Sequence, residues 1–148
     1  MNALFQLISE AEIPTLLRMM KEFYSQRQML FDGGAAARTI KQALADPSLG
    51  QIFFIFRGNE LAGYFALTFC FSLEFHGTFG LLDEIYISER FRAQKLGTAV
   101  MTFAETVCKQ RGIKALRLEV GRANLAAQGL YRRSGLVEDA RFLYTKWL

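Results

Sequence analysis

Arg90, Arg92 and Lys95 bring three cationic side chains into six residues, and Gly97 follows them where an amphipathic helix begins. Positive charge and flexible backbone at the mouth of a helix suit an anion, because first-turn N–H groups have no internal acceptor and the helix dipole adds partial positive charge. A phosphate is the ligand these residue types serve best; on this stretch alone an ordinary solvated turn is the alternative. Other chemistries lack their parts. The single histidine, His76, sits in a Phe-His-Gly turn without metal partners at ligand spacing, and no Ser-His or Cys-His nucleophile set forms without it. Cys70 and Cys108 lie in apolar surroundings and read as small buried hydrophobes rather than a disulfide.

The elements that must position this stretch alternate along the chain. Ala3–Ile8 reads as a short strand, and a helix follows to about Gln28 with Ile13, Leu16, Leu17, Met20 and Tyr24 at helical spacing. Its start has two readings, a capping box at Ser9 and Glu12 or a first turn at Pro14. A second helix spans Ala35–Ala45, closed by Pro47 and Gly50. Three β-rich runs, Gln51–Arg57, Leu61–Phe75 and Thr78–Ile87, are separated by short turns and read as an antiparallel meander. A helix from Leu96 to Arg111 ends at Gly112, a strand spans Ala115–Val120, and Asn124 caps a helix running to Ser134 before Gly135. Arg141–Leu148 is predicted to close the chain as a strand. Strand, helix and strand from Thr78 to Val120 imply a parallel crossover, so the sheet is mixed.

The cationic stretch therefore lies between a strand and a helix of a crossover unit, where phosphate loops occur. Neither the Walker loop nor the three-glycine dinucleotide turn is present. What stands here is Arg92-Ala93-Gln94-Lys95-Leu96-Gly97 and, one strand later, Asn124-Leu125-Ala126-Ala127-Gln128-Gly129-Leu130-Tyr131. These segments resemble the GNAT superfamily of acyl-CoA-dependent N-acetyltransferases. The family's pyrophosphate loop reads Arg or Gln, two residues, Gly, one residue, then Gly or Ala; Lys95 departs from it at the first glycine, so the loop must use a backbone conformation that lysine reaches. Asn124, Ala127 and Tyr131 match the second motif, with Gly135-Leu136 where the family has Gly-Phe. The strand Leu-Leu-Asp-Glu-Ile-Tyr-Ile is closest in style to spermidine/spermine and thialysine acetyltransferases. The resemblance and the element order imply a single α/β (α+β) domain over residues 1–148, with a central mixed twisted sheet of six to seven strands and four flanking helices.

The resemblance also implies a mechanism. Acetyl transfer from acetyl-CoA to an amine requires a neutral amine, a donor for the developing oxyanion and a proton source for the departing thiolate. In the family the central strand splays from its parallel neighbour and its free backbone holds the cosubstrate's arm; the matching backbone is Ile85, Tyr86 and Ile87. Ala93, Gln94, Leu96, Gly97 and Thr98 join Arg92 and Lys95 around the pyrophosphate. Tyr131 is the candidate general acid, and Asn124 and Ala127 flank the arm, Asn124 doubling as a helix cap. Asp83 and Glu84 are candidate bases for the acceptor ammonium. Adjacent residues of a regular strand face opposite sides, so one of the two lines the site; Asp83 is preferred, with Glu119 third. The wall around the acceptor is expected from Phe23, Tyr24, Phe31, Phe69 and Phe71 with Asp32, Glu74 and Asp83, aromatic faces and carboxylates that suit a compact cation.

Whole-chain numbers agree with this frame. At 148 residues and 51% hydrophobic content the chain builds one well-filled core. A net charge of +4 fits an anionic cosubstrate and is too mild to argue strongly for nucleic acid, which stays a third and weaker reading. Ser9, Glu10 and Glu12 interrupt any N-terminal signal, and the apolar run Leu61–Leu73 is too short to span a bilayer. The expectation is a cytoplasmic enzyme using acetyl-CoA and no metal. It acts on a small-molecule amine, without nucleic-acid or membrane partners, and a homodimer is compatible with the sequence. Acylation of a peptide N-terminus, a lysine or an aminoglycoside, or acyl-CoA binding without turnover, are the competing functions.

Overall fold

The computed structural model describes residues 2–148. Ser9 and Glu12 do form a local box, with the Ser9 N–H and hydroxyl both donating to Glu12 Oε1 at 2.9 and 3.0 Å, but it closes a short 3-10 turn over Glu10–Glu12. The first helix proper, α1 (Ile13–Gln26), then begins with Pro14 in its first turn, where a missing N–H costs nothing. Both start signals are thus used, one after the other. Helix α2 (Gly33–Ala45) starts two residues earlier than the sequence predicts, because Asp32 Oδ1 accepts the Ala35 N–H at 2.9 Å and caps it.

Five strands, β1 (Ala3–Leu7), β2 (Gly50–Arg57), β3 (Glu60–Ser72), β4 (Gly77–Ile87) and β5 (Leu116–Leu118), lie side by side in chain order. The first four are antiparallel, and β5 runs parallel to β4 after the crossover through α3 (Leu96–Gln110). Helix α4 (Leu125–Arg133) follows β5. The mixed α/β sheet of the expected fold is present with five strands rather than six or seven. The missing element is the predicted strand at Arg141–Leu148, which belongs to no ladder and is exposed, with Trp147 at 92%. Its aromatic content raises strand propensity, but Phe142, Leu143 and Tyr144 run consecutively instead of alternating, and propensity measures fit to a pleated, half-buried surface that no neighbour provides here. The segment is tied to the body by Asp139 to Arg117 at 3.0 Å and Arg141 to Glu74 at 2.8 Å.

The sheet separates two apolar layers. On one face α1 and α2 bury Ile13, Leu16, Met20, Phe23 and Ile40 against Phe54, Tyr64 and Tyr86. On the other, α3 buries Leu96, Val100, Met101, Ala104 and Cys108 against Phe53, Ile55, Phe65, Leu67 and Leu82, and Tyr131 of α4 joins that layer. Both cysteines are free, and Cys108 is buried as expected. Helices α3 and α4 meet closely at Gly97, where a methyl group would lie 2.7 Å from Leu130 Cδ2. Position 97 is therefore set by helix contact as well as by the loop.

Candidate active site

The decisive local feature is a β-bulge in β4. Across β3 and β4, Ala66 faces Glu84 and Leu67 faces Leu82, which leaves Asp83 as an extra, unpaired residue. A bulge inserts one residue and reverses the facing of the residues beyond it. Leu82 accordingly points into the α3 layer, while Glu84 and Tyr86, which would share its face in a regular strand, point to the α1 layer, and Ile85 and Ile87 pack on the α3 side. Asp83 and Glu84 are thus on the same face. The expectation that only one of them lines the site is overturned, because that rule holds for regular pleating and the pleat breaks between them.

Pairing between β4 and β5 covers only Gly80–Leu82 with Leu116–Leu118, so it stops one residue before the bulge. Beyond it, the β5-facing edge of Asp83–Ile87, which includes Ile85, Tyr86 and Ile87, has no strand neighbour among the described residues. The predicted strand Ala115–Val120 is shortened for the same reason: Glu119 and Val120 have no ladder partner among the described residues, and Glu119 is exposed.

Glu84 is clamped by two phenols. Tyr64 Oη from β3 donates to Oε1 at 2.9 Å, and Tyr24 Oη from α1 donates to Oε2. Burial pushes the Glu84 carboxyl above the ordinary range, while both phenols and the Arg27 charge pull it back. Asp83 reaches solvent, yet the surrounding protein raises its carboxyl as well. Tyr24 and Tyr64 are raised in turn, first by burial and then by Glu84 and Asp83, so both stay protonated at physiological pH. Tyr131 is buried and its phenol is raised by desolvation, with Arg27 acting oppositely.

The loop of Arg92–Thr98 differs in detail from expectation. Arg92 donates from Nε to the Ile87 carbonyl at 2.9 Å and from its terminal nitrogen to Gln26 Oε1 at 2.7 Å, lacing the loop to β4 and to the end of α1. Arg90 pairs with Glu60 at 3.0 Å and covers the Phe91 ring. Two of the three cations are thus structural ties, and Lys95 is exposed. Ala93 and Lys95 adopt φ values of 58° and 63°, the left-handed conformation, and Lys95 N-caps α3 without a side-chain cap. Lysine takes the conformation a glycine would take, at a cost, instead of imposing another. Among the described residues no acceptor meets the N–H groups from Ala93 to Thr98.

The other expected site residues divide. Asn124 Oδ1 accepts the Ala127 N–H at 3.2 Å, so it caps α4. Phe31 packs edge-on to Tyr24, which bonds Glu84, whereas Phe23 is core, edge-on to Tyr64. Asp32 is spent on capping α2. Phe69 lies in the α3 layer under Arg111, Phe71 is exposed, and Glu74 holds Arg141, so these three leave the acceptor wall. They sit beyond the bulge or on the opposite face, which the alternation of β3 alone does not reveal. Tyr64, Arg27 and Gln26 were not anticipated. The one signal for Tyr64 is a hydroxyl in an otherwise apolar strand, since a buried tyrosine needs a partner.

The Acetyltransferase (GNAT) family model matches residues 13–136, which includes α1–α4, β2–β5 and the loop, and the chain belongs to that family. A solved integron cassette protein from the mobile metagenome of Cole Harbour Salt Marsh is 32% identical, with 97% of this chain and 90% of the other covered at a TM-score of 0.86. A structure from Clostridium acetobutylicum, described as a predicted acetyltransferase with acetyl-CoA, shares the fold at a TM-score of 0.83 and 14% identity, covering 98% of this chain and 96% of its own. A Bacillus subtilis protein provisionally named a ribosomal protein bS18 alanine N-acetyltransferase is 36% identical over 55 residues, which is 37% of this chain and 36% of that relative's length.

Proposed function

We propose that this chain transfers an acetyl group from acetyl-CoA to the primary amine of a small molecule, polyamine or amino-acid-like, directly within a ternary complex. One observation carries the reading: β4 loses its β5 neighbour at the bulge that turns Asp83 and Glu84 to one face, beside a loop whose N–H groups from Ala93 to Thr98 have no acceptor among the described residues. Those N–H groups, with Lys95, would hold the pyrophosphate, and the free edge of Ile85–Ile87 and the start of α4 at Asn124 and Ala127 would hold the arm. Acetyl-CoA supplies an activated thioester and a thiol leaving group. The chain supplies a phenol at Tyr131, protonated at working pH because burial raises it, as proton donor to that thiol. It also supplies two carboxylates that attract and deprotonate an ammonium. The partial identity to a protein named for alanine N-acetylation favours a peptide N-terminus as the second reading.

Calorimetry with acetyl-CoA and free coenzyme A tests the first half: both are expected to bind, more weakly at raised salt and in Arg92→Ala, which unties the loop from β4 and α1. No binding at hundreds of micromolar refutes the reading. Thiol release from acetyl-CoA with small amines, polyamines, amino acids, aminoglycosides and short peptides tests the second half. Turnover confined to peptides or aminoglycosides refutes the small-amine acceptor and leaves acetyl transfer standing.

A further inference from the structure

We propose that Tyr24 is a catalytic residue that carries the acceptor's proton to Glu84, and that Tyr64 is the positioning residue that fixes Glu84 to receive it. This rests on the acetyltransferase reading above. The geometry divides the two phenols by depth. Tyr64 is 1% exposed and meets Glu84 Oε1 from beneath, sealed within the α1 layer. Tyr24 is half-buried, meets Oε2 from the last turns of α1, and packs edge-on to Phe31. Tyr24 is therefore the phenol of the two with a path to solvent, while Tyr64 has none.

The transfer balances simply. An ammonium N–H bond breaks as its proton joins Tyr24 Oη, and the Tyr24 O–H bond breaks as that proton joins Glu84 Oε2. A neutral amine, a neutral Glu84 and an unchanged Tyr24 result. A phenol raised by burial and by Glu84 does not stand ionised as a base, yet it passes a proton readily when one enters as another leaves. The titratable and charged groups acting on Glu84 are Tyr24 from α1, Arg27 just past the end of α1, Tyr64 from β3 and Asp83 from β4. Asp83, brought to the same face by the bulge, supplies a second negative charge that draws the ammonium in.

The test is a set of pH profiles of kcat/KM for thiol release, with 1,4-diaminobutane and glycine amide as probes, in wild type, Tyr24→Phe, Tyr64→Phe, Glu84→Gln and Tyr24→Phe/Glu84→Gln. Thermal melts and acetyl-CoA binding check that each variant is folded. Tyr24→Phe is expected to lose about 100-fold at neutral pH, the lower end of positioned proton transfer, with the loss shrinking as free amine replaces ammonium. Glu84→Gln behaves alike, and the double variant is no worse than either single, because the two groups act as one unit. Tyr64→Phe keeps its plateau within a few fold, while its acidic limb moves to higher pH, since Glu84 has lost a donor that favours its charged form. A pH-independent loss in Tyr24→Phe, losses that multiply in the double variant, or an unmoved limb in Tyr64→Phe overturns the relay and leaves the transferase intact. Absence of turnover by the wild type with both probes, despite acetyl-CoA binding, overturns the relay for small amines.

Discussion

Replacing Lys95 by glycine is predicted to stabilise the protein, although it removes a cation from the loop. Lys95 sits at φ 63° and ψ 15° immediately before α3, in the left-handed region. There the Cβ crowds the backbone, costing a side-chain-bearing residue roughly 1–2 kcal/mol. Glycine escapes that cost but loses more freedom on folding, about 0.5–1 kcal/mol. Taking the middle of each range, the balance favours Lys95→Gly by about 0.5–1 kcal/mol, which at this size is roughly 1.5–3 °C in Tm. No side-chain hydrogen bond caps α3 from Lys95, so none is lost. Urea denaturation and thermal melts read the effect directly, with Ala99→Gly, inside α3, as a control that should lose about 1 kcal/mol. Calorimetry adds a second readout: if the backbone forms the anion cradle, acetyl-CoA affinity in Lys95→Gly stays within a few fold at high salt, and only the salt dependence weakens. A lower Tm in Lys95→Gly would refute the strain argument, and a large salt-independent loss of acetyl-CoA affinity would refute the backbone cradle.

Particular contacts give three more expected outcomes. Gly97→Ala is expected to change stability by no more than about 1 kcal/mol, because the atom a methyl group would meet is the movable end of the half-buried Leu130 side chain and alanine favours the helix by a similar amount; a much larger loss in denaturant titration would show that Leu130 cannot yield. Asp83 has its carboxyl raised in the fold, so its contribution favours folding below the unfolded value of about pH 4 and is lost as pH rises through the folded one. Asp83→Asn should therefore melt higher than wild type at pH 7, with the difference closing as pH falls toward about 4; a constant difference across that range contradicts the desolvation argument. Tyr131→Phe should lower turnover about 100-fold or more while leaving acetyl-CoA affinity nearly unchanged, since it deletes a proton donor and little packing area; unchanged turnover in a thiol-release assay would make Tyr131 purely structural.

Features that depend on short range were legible in the order of residues. The amphipathic spacing of Ile13, Leu16 and Met20, the box at Ser9 and Glu12 and the turn at Pro14 are local, and so are the short turns that fold β2, β3 and β4 into a meander. Gly112 and Gly135 were readable as helix ends because only their own backbone had to turn left-handed, at φ 71° and 88°. The segments Arg92–Gly97 and Asn124–Tyr131 likewise announced the family's loop and second helix. How distant pieces meet was settled only once the chain had folded. Whether Asp83 and Glu84 share a face depends on the register of β4 against β3, and a pleat-breaking residue is invisible in β4 taken alone. The partners of Glu84 come from positions 24 and 64, and Arg92 reaches back to Gln26, so the chain's path had to be complete before either contact existed. Arg141–Leu148 fails as a strand for the complementary reason: aromatic residues favour extended backbone, but a strand exists only where a neighbour offers its hydrogen bonds.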